Sequence, residues 1–222
     1  MDFLRKRFEA SPVFVRAAPF VVFLLLTFTQ GEADKPNAYW MYFVKTAVGA
    51  WLVWEMRPFV AEMRWAFSWE AVVVGVGVCV MWVGLDGFYP KFSQAGAPWN
   101  PHAVFGRNSG MAWLFIAVRV LGSSLVVPPL EEVFYRSFIY RYLVKTDFQA
   151  MPMGRFHGLS FVITSAAFGF EHYQWLAGIL CGMAYQWLVL RKQRLGDAMT
   201  AHAITNLLLG LWVFWRNDWK FW

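Results

Sequence analysis

Seven apolar runs, each near the length that crosses a bilayer, leave this chain few ways to fold: Val13 to Thr29, Tyr39 to Trp54, Trp69 to Leu85, Met111 to Val127, Leu159 to Phe170, Trp175 to Leu190 and Ala198 to Trp215. In hydrocarbon, backbone N–H and C=O groups must find partners within the protein, so spans of this kind are helical. The chain is 59% hydrophobic and only 15% charged, against about 25% charged in soluble domains. The expected fold class is therefore all-α: a polytopic transmembrane helical bundle of about seven membrane helices, or eight if the segment carrying Glu131 and Glu132 counts separately. No repeat, low-complexity tract or linker divides the chain, so residues 1–222 read as a single integral membrane domain.

The flanking residues agree. Of fourteen tryptophans, Trp40, Trp54, Trp69, Trp113, Trp175 and Trp215 mark the ends of runs, where an amphipathic ring prefers the headgroup level. The net charge of +6 comes from short basic groups between spans: Arg5, Lys6 and Arg7; Arg141, Lys145 and Arg155; Arg191, Lys192 and Arg194. That is the pattern of cytoplasmic loops facing an anionic leaflet, not of a nucleic-acid surface. The expectation is an integral protein of the cell (inner) membrane with a cytoplasmic N-terminus, membrane lipid as a partner and no nucleic acid. "TFTQGEADK" after the first run offers no small-x-small cleavage site, so that run is expected to be retained as a helix. Cys79 and Cys181 lie inside apolar runs and indicate no disulfide framework.

The longest polar connection, Asp86 to Gly110, is rich in Gly, Pro and Asn and reads as a loop. "GILCG" (Gly178 to Gly182) has the small-xxx-small spacing that lets two helix backbones approach. Both later basic groups fall inside only if Met111 to Lys145 crosses once, as a helix broken at Pro128 and Pro129; a hairpin there would give the eighth crossing.

Against this background "VVPPLEEVFYRSFIYRY" is costly, because it sets Glu131 and Glu132 in apolar surroundings. Prolines suit a first helical turn, so Pro128 and Pro129 are expected to end one segment and begin another, with both carboxylates near freed amides. Glu132 and Arg136 are four apart and share a helix face, the spacing of an ion pair. Glu131, about 100° round the helix, lacks that partner and is free to accept a proton. The alternative is that both merely cap a helix, although an ionisable group at membrane depth usually marks function. Two further placements match. His172 follows Phe168 by four residues in "AFGFEHYQW", and His202 and Asn206 are four apart in "TAHAITNLLLG". Polar groups on three separate spans are expected to converge on one interior cavity.

The ordered set EExxxR (Glu131, Glu132, Arg136), FxxxH (Phe168, His172) and HxxxN (His202, Asn206) resembles the CAAX protease and bacteriocin-processing (Abi) family of glutamate-type intramembrane proteases, including type II CAAX prenyl endopeptidases. The resemblance covers the motif-bearing core, about residues 111–210; the earlier part resembles membrane helices in general. It implies an endopeptidase in which Glu131 and His172 activate a water while His202 and Asn206 bind the oxyanion, with Glu132, Arg136 and Phe168 in support. The implied substrate is a membrane-associated peptide or membrane-tethered protein cut near its terminus. Ser137 stands where bacterial members often have glycine, with no effect on chemistry expected.

The chemistry of the residues agrees with that assignment. Peptide hydrolysis needs a base for water, a donor for the oxyanion and an acid for the leaving amine. Neither Ser123 nor Ser124 sits in a nucleophile elbow, and no HExxH zinc motif is present. The expectation is no cofactor and no metal. The rival is a zinc site of Glu131, His172 and His202 with an open position for water, although Asn206 would be a poor ligand. Non-catalytic readings, an immunity or scaffold protein or a transporter, also stay open; no inverted repeat is recognisable.

Overall fold

The structure is a computed structural model that describes residues 2–92 and 97–222; residues 93–96 of the long connection lie outside the described part. Helices account for the regular structure: α1 (Asp2–Ala10), α2 (Pro12–Phe28), α3 (Pro36–Met56), α4 (Trp69–Gly84), α5 (Pro101–Phe105), α6 (Gly110–Tyr142), α7 (Gly158–Phe170), α8 (Trp175–Lys192) and α9 (Gly196–Arg216). No strand occurs among the described residues. Helices α6 and α9 are long and apolar enough to cross a membrane, and α2, α4 and α7 are shorter apolar helices. Large apolar side chains point outward, including Leu25, Phe28, Val73, Val80, Leu211 and Trp215. A surface of that kind suits lipid, and in water would be a large exposed patch.

Local chemistry sets several boundaries. Ser11 accepts from the Phe14 amide at the start of α2, where Pro12 opens the helix, and Ser68 caps α4 through the Ala71 amide. The connection from Asp86 to Gly110, expected to be loop, contains the short helix α5. Asn100 accepts from the His102 and Ala103 amides there and creates that start. Helices α8 and α9 end at Gln193 and Asn217, both left-handed at φ 54° and 55°.

Packing brings α7 against α8 and α4 against α9. The small residues make both approaches possible. A Cβ on Gly178 would lie 2.9 Å from the Gly169 Cα, and one on Gly75 would lie 2.7 Å from the Ala201 carbonyl oxygen. The spacing seen in "GILCG" therefore does bring two backbones together.

Polar contacts sort the connections between two ends of the bundle. At one end, Arg5 pairs with Glu55 at 2.6 Å, Lys192 with Glu70 at 3.1 Å, and Thr200 donates to the Ala66 carbonyl at 2.9 Å. At the other end, Lys91 and Lys220 each meet Asp86 at 2.9 Å, and Trp175 donates to the Pro90 carbonyl at 2.9 Å. Helix α6 runs from this second end, where Trp113 meets His102, to the first, where Arg141 reaches Glu62. It traverses the bundle once, without a hairpin.

Glu62 joins three elements at the basic end. Arg16 of α2 reaches its Oε1 at 2.8 Å and Arg141 of α6 at 3.0 Å, and the Ser137 hydroxyl donates to the same oxygen. Ser137 also accepts from Arg16 at 3.1 Å and from Arg141 at 2.8 Å. A glycine at position 137 would remove this joint, so the serine has a structural task. Burial opposes the charge on Glu62, but Arg16 and the Ser137 hydroxyl hold its carboxyl below the usual carboxylate value. A lowered folded value contributes stability above the ordinary carboxylate pKa of about 4.3, and that stability is lost as pH falls through the lowered value. Melting temperature in detergent should therefore drop on acidification below about pH 5. Glu62→Gln, which leaves two buried guanidinium groups without their shared partner, should cost about 3 kcal/mol at neutral pH and lose much of that acid dependence. A variant that melts like the parent at every pH would refute the role given to Glu62.

Candidate active site

Two prolines in mid-helix govern the shape of the site. Proline has no N–H, and its ring crowds the carbonyl four residues back. Helix α6 does not break there, contrary to the sequence expectation. It widens instead, with π-helical turns at Gly122–Val126 and Val133–Ile139 on either side of Val127–Glu132. Glu131 and Glu132 thus lie within a continuous helix rather than in a first turn with free amides.

The widening has a local consequence. The Val127 amide turns to the Gly122 carbonyl, five residues back. Residue 128 is proline and cannot donate, so the Ser123 carbonyl has lost both its α-helical and its π-helical donor. The Asn206 side chain of α9 fills that place, donating from Nδ2 at 2.7 Å. A carbonyl left without a helical donor is satisfied and the amide plane of Asn206 is fixed by one contact.

The carboxylates occupy different surroundings, as their spacing predicts. Glu132 is wholly buried and its Oε1 lies 3.3 Å from Nη1 of Arg136, itself 1% exposed. The same Oε1 lies 2.9 Å from Nδ1 of His202. A carboxylate paired with a guanidinium only accepts, so Nδ1 carries the proton in that contact and Nε2 faces the other way. Glu131 Oε2 lies 3.8 Å from that Nε2, too far for a direct hydrogen bond. Arg136 is seated over the Phe168 ring at 4.3 Å and donates to the Gly182 carbonyl at 3.4 Å. It thereby ties α6 to α7 and α8.

His172 follows the end of α7. Its Nδ1 lies 2.8 Å from the Phe168 carbonyl oxygen, an acceptor only, so that nitrogen is protonated and Nε2 keeps a lone pair. The rings of Phe168, at 4.9 Å, and Trp82, at 5.3 Å, hold the imidazole between them. His172, His202, Asn206 and Phe168 line one cavity of about 250 Å³. Glu131 is not among the residues that line it; its Oε2 lies behind the cavity wall, 3.8 Å from His202 Nε2.

Sequence reasoning leaves several participants unmarked. Tyr185 stacks on His202 with centroids 5.1 Å apart and donates to Thr205 at 2.7 Å, and Thr205 donates to the Gly75 carbonyl at 2.9 Å. Lys45 and Arg119 also line the cavity. For those two a signal existed, a charge inside an apolar run; for Tyr185 and Thr205 no local signal distinguishes them from packing residues. Among the described residues, no group of three or more His, Cys, Asp or Glu side chains stands in a metal-holding arrangement. Both cysteines are free and buried.

A helical membrane bundle with a buried Glu, His and Asn cavity is a recognisable class of architecture. Residues 112–208 match the family model of type II CAAX prenyl endopeptidases described as Rce1-like. That stretch is a little under half of the chain and carries every motif residue, so the resemblance drawn from the motifs holds, and the family it points to is one of membrane-embedded CAAX proteases. Neither a search of curated proteins nor a search of solved structures returned a match.

The geometry separates the two glutamates experimentally. Arg136→Ala strands Glu132 at a fully buried position and should cost about 3–5 kcal/mol, with Glu132→Gln behaving similarly. Glu131→Gln removes no ion-pair partner of Arg136 and should melt within a few degrees of the parent in detergent. Equal destabilisation by Glu131→Gln and Arg136→Ala would show that the carboxylates share one structural role.

Proposed function

We propose that this chain is an intramembrane endopeptidase that hydrolyses a peptide bond near the terminus of a membrane-associated peptide or membrane-tethered protein. The observation that carries this reading is the meeting of His172, His202 and Asn206 at one cavity inside an apolar bundle, with the buried Glu131 3.8 Å behind His202, within the stretch that matches a CAAX protease family.

In this reading a water enters beside Glu131 and His172. As its oxygen attacks the scissile carbonyl, Glu131 takes its proton and the lone pair on His172 Nε2 orients it. The tetrahedral oxyanion is held by His202 and Asn206. Asn206 has one amide hydrogen left after serving Ser123. Donation by His202 requires a proton on Nε2 while Nδ1 keeps its own for Glu132, that is, an imidazolium paired with a carboxylate. Collapse breaks the C–N bond, and the amine leaves with the proton that Glu131 took. Water is consumed and nothing else is needed, so we read the site as metal-free; the orientation of Asn206 towards Ser123 and the engagement of His202 by Glu132 support this over a zinc site.

The same reading places the basic end in the cytoplasm and counts seven crossings, one for each helix that runs between the two ends. Arg57, Arg64, Lys145, Arg155, Arg191 and Arg194 join the ion-paired groups at that end, the bias expected of a cytoplasmic face.

Purified protein should cleave a membrane peptide with activity that survives exhaustive chelation and disappears in Glu131→Gln. Asn206→Ala should lower turnover roughly a hundredfold to a thousandfold. Pro128→Ala restores an N–H that competes for the Ser123 carbonyl, and should lower turnover without lowering the melting temperature. Full activity in Glu131→Gln, or zinc that tracks activity and restores it after chelation, would overturn the mechanism. Topology is checked separately: single cysteines at Lys145 and Lys192 should be labelled from the cytoplasmic side and one at Lys91 from the other. Labelling of all three from one side would refute the seven-crossing arrangement.

A further inference from the structure

The cavity has a second pole that the hydrolytic chemistry does not use. Lys45 of α3 and Arg119 of α6 line the same cavity as His172, His202 and Asn206. They also line an adjoining recess of about 530 Å³ that holds Gln30, Glu32 and Trp99. The two cations therefore stand on the wall between an outer opening and the inner site.

Neither cation makes a contact ion pair among the described residues, Glu32 in the outer recess included. Lys45 is 6% exposed, donates to Thr27 at 3.2 Å and Gln30 at 3.3 Å, and lies over the Tyr42 ring at 4.6 Å. The Arg119 guanidinium is held by three rings, Trp99 at 4.6 Å, Tyr42 at 5.0 Å and Trp222 at 5.5 Å. It has no hydrogen-bond acceptor among the protein groups described. Ring faces fix its plane without occupying its N–H fork, the part of the group that reads a planar two-oxygen anion. A buried lysine and a partly buried arginine at membrane depth, neither with a carboxylate in contact, call for an anion brought in by a ligand.

Resting on the endopeptidase reading, we propose that Lys45 and Arg119 bind an anionic oxygen group, the C-terminal carboxylate of the peptide being cut. Peptide carboxylate and lipid phosphate share this chemistry, but continuity with the hydrolytic pole favours the peptide. The same helix sets the spacing. Arg119 precedes Glu131 by twelve residues, roughly 18 Å along a helix axis. That is the span of about five extended residues, and of fewer once both side chains reach inward. The site thus selects a short C-terminal fragment and measures where the bond is cut.

The test uses full-length protein in nanodiscs and a fluorescent apolar tripeptide, once as the free acid and once as the C-terminal amide. Binding is read by anisotropy, so the outcome does not depend on cleavage. The acid should bind roughly tenfold to a hundredfold more tightly than the amide, as expected for a charge-assisted contact in a desolvated site. Lys45→Met and Arg119→Gln should each reduce that preference, their combination should bring it close to one, and Arg119→Lys should restore part of it. Should Arg119→Gln fail to fold, Lys45→Met together with Arg119→Lys decides the matter. Equal binding of acid and amide by folded parent protein would overturn the proposal, as would a preference that survives the substitutions. So would an Arg119-dependent thermal shift with phosphatidylglycerol nanodiscs in the absence of any acid preference, which would assign the pole to lipid phosphate. A second arm measures cleavage of a longer membrane peptide as acid and as amide. An acid preference in binding without cleavage of either would leave the anion site standing and remove the endopeptidase reading.

Discussion

The buried ion cluster of Glu132, Arg136 and His202 is the interaction on which the rest of the structure depends. Each of these groups is nearly or wholly excluded from solvent, and an isolated charge there would be prohibitive. Their mutual contacts at 3.3 Å and 2.9 Å bind α6 to α9. Arg136 extends the tie to α7 through the Phe168 ring and to α8 through the Gly182 carbonyl. The close approach of α7 and α8 at Gly169 and Gly178 brings that carbonyl within reach of the guanidinium. Fold and site are therefore stabilised by the same atoms, and Glu131 is left as the carboxylate that no guanidinium or ammonium group meets by contact.

Prolines in α6 act through what they withhold. A plain α-helix would satisfy the Ser123 carbonyl internally and leave Asn206 free to rotate. One diverted amide hydrogen, that of Val127, and one missing, at Pro128, leave that carbonyl open, and Asn206 crosses from α9 to meet it. Widening is tolerated because the neighbouring helix supplies the lost partner, the general condition for proline inside a membrane helix. What looks like a defect in one helix is a hydrogen bond between two.

Much of the architecture was legible in the sequence because hydrocarbon leaves a blunt pattern. All seven apolar runs correspond to helices, and the Glu132–Arg136 pair followed from i,i+4 spacing alone. The proline break was misread because the rule that proline ends a helix assumes that nothing else can satisfy the ladder. The contact of His202 with Glu132 spans seventy residues and depends on how α9 leans on α6, which no local pattern encodes. Lys45 and Arg119 were hidden for another reason. Long basic side chains in apolar runs can extend to the interface and bury only their stems, so their presence says little until their direction is known.

Direction is what gives the cavity its polarity. Behind one end stands Glu131, in contact with no lysine or arginine, and the other end holds two cations without a contact carboxylate. Pairing Lys45 or Arg119 directly with Glu131 would neutralise both ends and cost less electrostatically. The fold instead keeps them out of contact, with Arg119 twelve residues away on α6 and Lys45 on α3, and steadies the cations with ring faces, which attract positive charge without quenching it. Such separation is costly in the absence of a ligand and favourable only when something polar bridges the poles. In the proposed reading an extended peptide does so, its carbonyl meeting the hydrolytic end and its terminal charge the cationic end. On that proposal the charges form a single arrangement, whose two halves are both satisfied when a chain terminus lies between them.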